Sequence, residues 1–150
     1  MIMNEVLKIE KMQKVDLDDI MEIEQASFSD AWAKEGFLQS IDQPYSLMLT
    51  AKFRDKVVGY CCLYCILDEG EIINVAVHPQ WRGKGVGTQM LDSMLAMGKE
   101  QGVMRFLLDV RVSNYPAQKL YENAGFVKIA CQKNFYEMPV EDGWLMELLL

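Results

Sequence analysis

"HPQWRGKGVGTQML", residues 78–91, decides how this chain is read. Three glycines, Gly83, Gly85 and Gly87, and two cations, Arg82 and Lys84, stand between an apolar run and an amphipathic one. Glycine weakens regular structure, so such a cluster marks backbone that turns sharply or must be approached closely. Upstream, "EIINVAVHP" reads as a strand stopped by Pro79. Downstream, Val86, Met90, Leu91, Met94, Leu95 and Met97 share one face of a helix expected over 85–101, with Gly102 as its C-cap. The first N–H groups of a helix have no partners within it, and the helix dipole adds partial positive charge there. Glycines remove the Cβ atoms that would keep a phosphate away. The expectation is an anion cradle suited to a pyrophosphate, with a tight turn that binds nothing as the alternative. The phosphate loop ending in Gly-Lys-Ser/Thr is absent. The spacing G-x-G-x-G also misses the dinucleotide fingerprint, for which only Asp109 offers a distant acid.

Working outward, "EVLKIEKM" alternates like a half-buried strand, and "DLDDIMEIEQASF" carries Leu17, Ile20, Ile23 and Phe28 at helical spacing. A short helix is expected over "AKEGFLQSI", ended by Pro44. "SLMLTAKF" and "KVVGYCCLYCIL" form a hairpin around "RD". "MRFLLDVRV" is a strand, and "NYPAQKLYENAGF" a helix with Asn114 as N-cap, Pro116 early and Gly125 past its end. "VKIACQKNFY" and "GWLMELLL" close the chain as two strands. The order is β-α-α-β-β-β-α-β-α-β-β. Strand 71–78, helix 85–101 and strand 104–112 make a βαβ unit with parallel strands and a right-handed crossover. The sheet is therefore mixed.

At 150 residues the chain is read as one domain spanning 1–150. A formal charge of −7 argues against nucleic acid as partner. It suits a basic peptide partner, or solubility alone. "MIMNEVLKIEKM" lacks the apolar core of a signal peptide, and no run approaches the roughly 20 apolar residues of a membrane helix, so a cytoplasmic location is expected. Cys61, Cys62 and Cys65 lie in one apolar strand and Cys131 stands apart, with His78 the only histidine. Free core cysteines are expected, and no metal.

The turn Arg82-x-x-Gly85-x-Gly87, after "INVAVHP" and before an amphipathic helix, resembles motif A of the GNAT superfamily of acetyl-CoA-dependent N-acetyltransferases. "LDVRVSNYPAQKLYENAGF", "NFY" and "EDGWLMEL" narrow the resemblance to the RimI-type ribosomal-protein-alanine N-acetyltransferases. Arg111, Ser113, Asn114, Leu120, Tyr121, Gly125 and Phe126 stand where that group has its "R-x-S-N" and "L-Y-x-x-x-G-F". The resemblance implies an α+β, three-layered fold: a mixed, mostly antiparallel sheet with a central splayed pair of parallel strands and helices on both faces. It implies that acetyl-CoA enters the splay. Backbone groups of Val75, Ala76 and Val77 would pair with its pantetheine arm. The amides of Gly83, Lys84, Gly85, Val86, Gly87 and Thr88, with Arg82 beside them, would hold its pyrophosphate. Asn114 would touch it at the second helix, or simply cap that helix.

Acetyl transfer needs a neutral amine and a protonated leaving thiol. A terminal amine has a pKa near 8, against about 10.4 for lysine, so one carboxylate acting through water is enough to deprotonate it. Asp109 interrupts "FLLDVRV" and is the first candidate base, standing where the resembling enzymes carry glutamate; the alternative is an ion pair with Arg111 on the same strand face. Glu71 is the competing base. Tyr121 is the candidate general acid, or a packing residue on a helical stripe. Trp32 and Phe37 form one wall of a peptide channel or else close the core, and Tyr136 stands opposite. The expected reaction is transfer from acetyl-CoA to a protein N-terminus, most specifically the alanine of a small-subunit ribosomal protein, by direct attack in a ternary complex. A lysine, polyamine or other small-amine acceptor, and a non-catalytic acyl-CoA-binding module, are the alternatives. The chain is expected to act as a monomer or weak homodimer, away from membranes.

Overall fold

A computed structural model describes residues 7–150. The start of the first expected strand, Glu5 and Val6, and the rest of the segment read for a signal peptide up to residue 6 lie outside the described residues. The elements run β1 (Lys8–Lys11), α1 (Leu17–Ser27), α2 (Lys34–Ile41), β2 (Ser46–Phe53), β3 (Lys56–Ile66), β4 (Glu69–Val77), α3 (Val86–Glu100), β5 (Arg105–Arg111), α4 (Tyr115–Asn123), β6 (Val127–Glu137) and β7 (Val140–Leu149). This is the expected order, with short 3-10 turns added at Lys14–Asp16 and Pro79–Trp81. Arg54 and Asp55 both take positive φ in the β2–β3 turn, as a tight hairpin requires.

The seven strands lie in the order β1-β2-β3-β4-β5-β7-β6, antiparallel except for the pair β4–β5. The insertion of β7 between β5 and β6 has no marker in the sequence. Helices α1 and α2 cover one face, where Leu17, Ile20, Ile23 and Phe37 pack on Tyr60 and Cys62. Helix α3 covers the other with Val86, Met90, Leu91 and Met94, joined by Tyr121 of α4. Strand β3 is buried on both sides, so neighbours point to opposite layers: Cys61 to α3, Cys62 to α1. That explains its nearly unbroken apolar run.

Burial pushes the Cys61 thiol up to about 12 and raises Cys62 well above the usual range. Cys65 is half-buried and Cys131 is exposed on β6, so the expectation of core cysteines fails for Cys131, which lies on an edge strand with solvent beside it. Among the described residues no helix is long and apolar enough to cross a membrane. No cluster of three or more His, Cys, Asp or Glu among them is placed to hold a metal ion.

Candidate active site at the parted strands

Strands β4 and β5 pair only from Glu69↔Arg105 to Ile72↔Leu108. Beyond that, β4 stays bonded to β3 through Asn74↔Cys62 to Val77↔Gly59, and β5 to β7 through Asp109↔Leu145 to Arg111↔Gly143. The cause lies in β4. Its register against β3 jumps from Leu63↔Ile72 to Cys62↔Asn74, which leaves Ile73 as an extra, bulged residue. A bulge bends its strand and strengthens the local twist, turning β4 away from β5. The facing backbone edges of Val75–Val77 and Asp109–Arg111 therefore lack each other as partners.

A cavity of about 600 Å³ opens on one side of this parting, lined by Val75, Ala76 and Val77, by the glycine turn and by the start of α4. Gly83 and Gly85 take φ of 73° and 83°, and a Cβ on either would meet nothing within 4 Å. No side chain caps α3 at Gly85. The amides of the first turn of α3 thus face open space between left-handed glycines, a cradle that fits a pyrophosphate. The residues present therefore fit acetyl-CoA. Gly83, Gly85, Val86, Gly87, Thr88 and Arg82 all line the cavity. Arg82 is also tied back, donating to the Val77 carbonyl and to Ser27 Oγ, both at 3.2 Å. Lys84 is not part of the lining; its ammonium lies 5.4 Å from the Trp81 ring centroid. Asn114 does both things expected of it in placement: Oδ1 accepts from Ala117 N–H at 3.2 Å, and the residue lines the cavity.

A second cavity of about 360 Å³ shares Val75, Asn114, Ala117, Ser27 and Phe28 with the first and adds Asp30, Asn74, Asp109, Tyr121 and Tyr136. Asp109 is not paired with Arg111. Gln132 Nε2 donates to Asp109 Oδ1 at 2.5 Å, while Arg111 turns to Glu141 at 3.2 Å and to the carbonyls of Pro139 and Met138 at 2.9 and 3.1 Å. The expected Asp109–Arg111 ion pair is thereby replaced, because the β6–β7 hairpin brings better-placed partners to each. The Arg111 guanidinium lies 4.3 Å from the Tyr136 ring centroid. Burial, with the Asp109 charge next, pushes the Tyr136 phenol up to about 12. Burial also raises the Tyr121 phenol, which comes from the α4 side and touches the Phe126 ring at 5.9 Å.

Three expected site residues stand elsewhere. Glu71 shares the strand face of Asp109, but it sits in the paired part of the ladder, opposite Leu107, and lines neither cavity. Phe37 is fully buried, edge-on to Tyr60 at 5.7 Å, so it is a core residue and not a channel wall. Trp32 packs on Phe37 at 5.2 Å and is likewise absent from the lining. What positions the loop after α1 is Glu24, one of several acids in an otherwise amphipathic helix. It is 1% exposed, accepts from the Trp32 backbone N–H at 2.9 Å, and accepts from the Tyr60 hydroxyl. Burial raises its pKa, opposed by those two donors. The loop it anchors carries Phe28, Ser29 and Asp30 into the second cavity, and Ser29 Oγ donates to the Met138 carbonyl. Asn74 and Gln132 were missed; a carboxamide amid "EIINVAVHP" was the available signal for Asn74.

A parallel pair parted by a bulge, with an amide cradle on one side and a carboxylate on the other, defines an acetyl-transferring enzyme. Residues 17–126 match the Acetyltransferase (GNAT) family, and the chain belongs to that family. It is 33% identical over 87% of its length to a [ribosomal protein bS18]-alanine N-acetyltransferase of Haemophilus ducreyi, of which 90% is covered. It is 30% identical over 91% of its length to the protein of the same name from Salmonella typhimurium, of which 93% is covered. The crystal structure of the ribosomal-protein-S18-alanine N-acetyltransferase from Escherichia coli superposes with a TM-score of 0.88 at 27% identity, covering 96% of this chain and 94% of that one.

Proposed function

We propose that this enzyme transfers acetyl from acetyl-CoA to the N-terminal α-amine of a protein in the cytoplasm, the alanine terminus of a small-subunit ribosomal protein being the acceptor its relatives' names suggest. The observation that carries this reading is the meeting of the two cavities at the parted strands, with the glycine cradle on one side and Asp109 on the other. Bound along the larger cavity, acetyl-CoA would supply an acetyl group activated as a thioester. The backbone edge of Val75–Val77 would lie along its path, and the amides of Gly83, Gly85, Val86, Gly87 and Thr88 would hold its diphosphate.

Asp109 takes the proton of the incoming amine, directly or through one water. Gln132 fixes the carboxylate so that its short side chain keeps one aim. Tyr121, a neutral phenol lining the smaller cavity, would give its hydroxyl proton to the departing thiolate. Glu71, in the paired ladder, lines neither cavity. Juxtaposition of the two reactants supplies much of the remaining rate. Cys61 and Cys62 of β3 are buried with raised pKa values, which favours direct attack over an acyl-cysteine route. The enzyme works as a monomer or weak homodimer. Thiol release with an alanine-led basic peptide, compared with free polyamines, tests the reading: turnover confined to polyamines overturns it. Mass spectrometry of proteins incubated with labelled acetyl-CoA identifies the acceptor.

A further inference from the structure

Asn74 is a carboxamide in a strand of otherwise apolar residues between Ile72 and Val77. It follows the bulge at Ile73, is the register partner of Cys62, and stands with Cys62 and Ala76 on the α1–α2 face of the sheet. Its Nδ2 atom is buried and has no hydrogen-bond partner among the described residues, and the residue lines the smaller cavity with Asp109, Asp30 and Tyr136. A buried N–H group without a partner is destabilising, and such groups are rare in folded proteins. The acids Asp109 and Asp30 suit an ammonium or amine, but they repel a carbonyl oxygen. Tyr121 reaches the cavity from the α4 side, behind the parting. Asn114 also lines this cavity, but its side chain caps α4, whereas Asn74 is a neutral amide on the bulged strand whose donor is unpartnered.

An α-amine differs from a lysine ε-amine or a polyamine nitrogen in one nearby group. Its nitrogen is followed by one carbon and then a carbonyl oxygen. When the amine is seated at Asp109, that oxygen loses its water and needs a donor. We propose that Asn74 Nδ2 is that donor, binding the first carbonyl oxygen of the acceptor and so making the site select α-amines over side-chain and polyamine nitrogens. The proposal rests on the α-amine reading above and adds to it the residue that enforces the choice. The N–H group lacks a protein partner in the free enzyme, so turning the carboxamide onto the acceptor's carbonyl sacrifices no existing donor bond and satisfies a buried donor. A site built around such a donor rejects an analogue without the acceptor more strongly than a merely shaped pocket does.

The test compares an alanine-led basic peptide with its analogue in which the first amide is replaced by a trans-alkene, neutral and extended but lacking the oxygen. Wild type should favour the peptide by about tenfold or more in kcat/KM. Asn74→Ala, and the shape-preserving Asn74→Leu should the first fold poorly, should bring that ratio close to one. The KM for acetyl-CoA and the melting temperature should hold, because no internal bond is lost. Equal losses on both acceptors, or a drop in melting temperature accounting for the lost activity, would assign Asn74 a structural role and overturn the proposal. A variant that keeps the wild-type preference overturns it too. Wild type that acetylates polyamines and neither peptide nor isostere fails the α-amine reading itself, an outcome visible before any variant is made.

Discussion

The larger cavity draws most of its wall from one stretch, Val75 to Thr88, whereas the smaller one gathers short runs from the end of α1 and the loop after it, from β4 and from β5, with further residues from α4 and β6. The difference is one of chemistry. A diphosphate is recognised by backbone amides, and consecutive amides come only from consecutive residues, so the cradle is written as a local glycine pattern. An acceptor amine and its surroundings are recognised by side chains, which tertiary folding can bring from anywhere. The first kind of site can be read along the chain; the second needs the sheet order.

The sharpest way to break this contrast is at Phe37, which the sequence leaves open between wall and core. Truncation to Ala should cost about 3–5 kcal/mol of folding free energy, measured by denaturant unfolding, since the ring is fully buried. Peptide KM should stay near wild type at low temperature. A raised KM with little lost stability would return Phe37 to the acceptor side. Next in size, Tyr121→Phe removes one oxygen from a residue lining the smaller cavity. Its kcat should fall about a hundredfold, with the KM for acetyl-CoA little changed. Full activity would leave Tyr121 as packing against Phe126.

A smaller effect separates the cradle from ordinary glycine strain. Gly85 and Gly102 both take positive φ, and a Cβ on either meets nothing within 4 Å. Alanine at either should cost about 1–2 kcal/mol of stability. Only Gly85→Ala, whose Cβ enters the cavity, should also raise the KM for acetyl-CoA. Equal KM changes at both positions would dissolve the distinction between cradle and plain turn. The smallest effect lies at Glu24. Its folded pKa is raised above the ordinary carboxylate value of 4.5. The folded state therefore holds the proton more tightly than the unfolded one. This contribution to stability is fully present below the unfolded pKa and is lost as pH rises through the folded pKa. Relative to Glu24→Gln, wild type should gain stability as the solution is acidified from neutrality towards that window. Melting temperatures of the pair across pH should show it, and parallel curves would contradict it.

The element order was legible because each helix and strand has its own period, and the parallel pair followed from the βαβ spacing. The placement of β7 between β5 and β6 was not, because β6 and β7 carry similar apolar patterns and only tertiary pairing ranks them. The same gap hid the partners of Asp109 and Arg111. Gln132 and Glu141 arrive on β6 and β7, so a strand read in isolation pairs the acid with the nearest cation. Glu24 gave no signal of its own, because it stands in an acidic stretch, "DLDDIMEIEQ", where charge alone suggests water.

The burial of Cys61 and Cys62, with Cys65 half-covered, has a practical side. A chromogenic disulfide that traps free coenzyme as it forms will find little thiolate in the enzyme itself, because the inner sulphurs are both shielded and held protonated. Cys131 is the one exposed cysteine among the described residues. Cys131→Ser would quiet most of the remaining background, and Cys131 left in place offers a single point for attaching a dye or spin label on β6, outside the lining of both cavities.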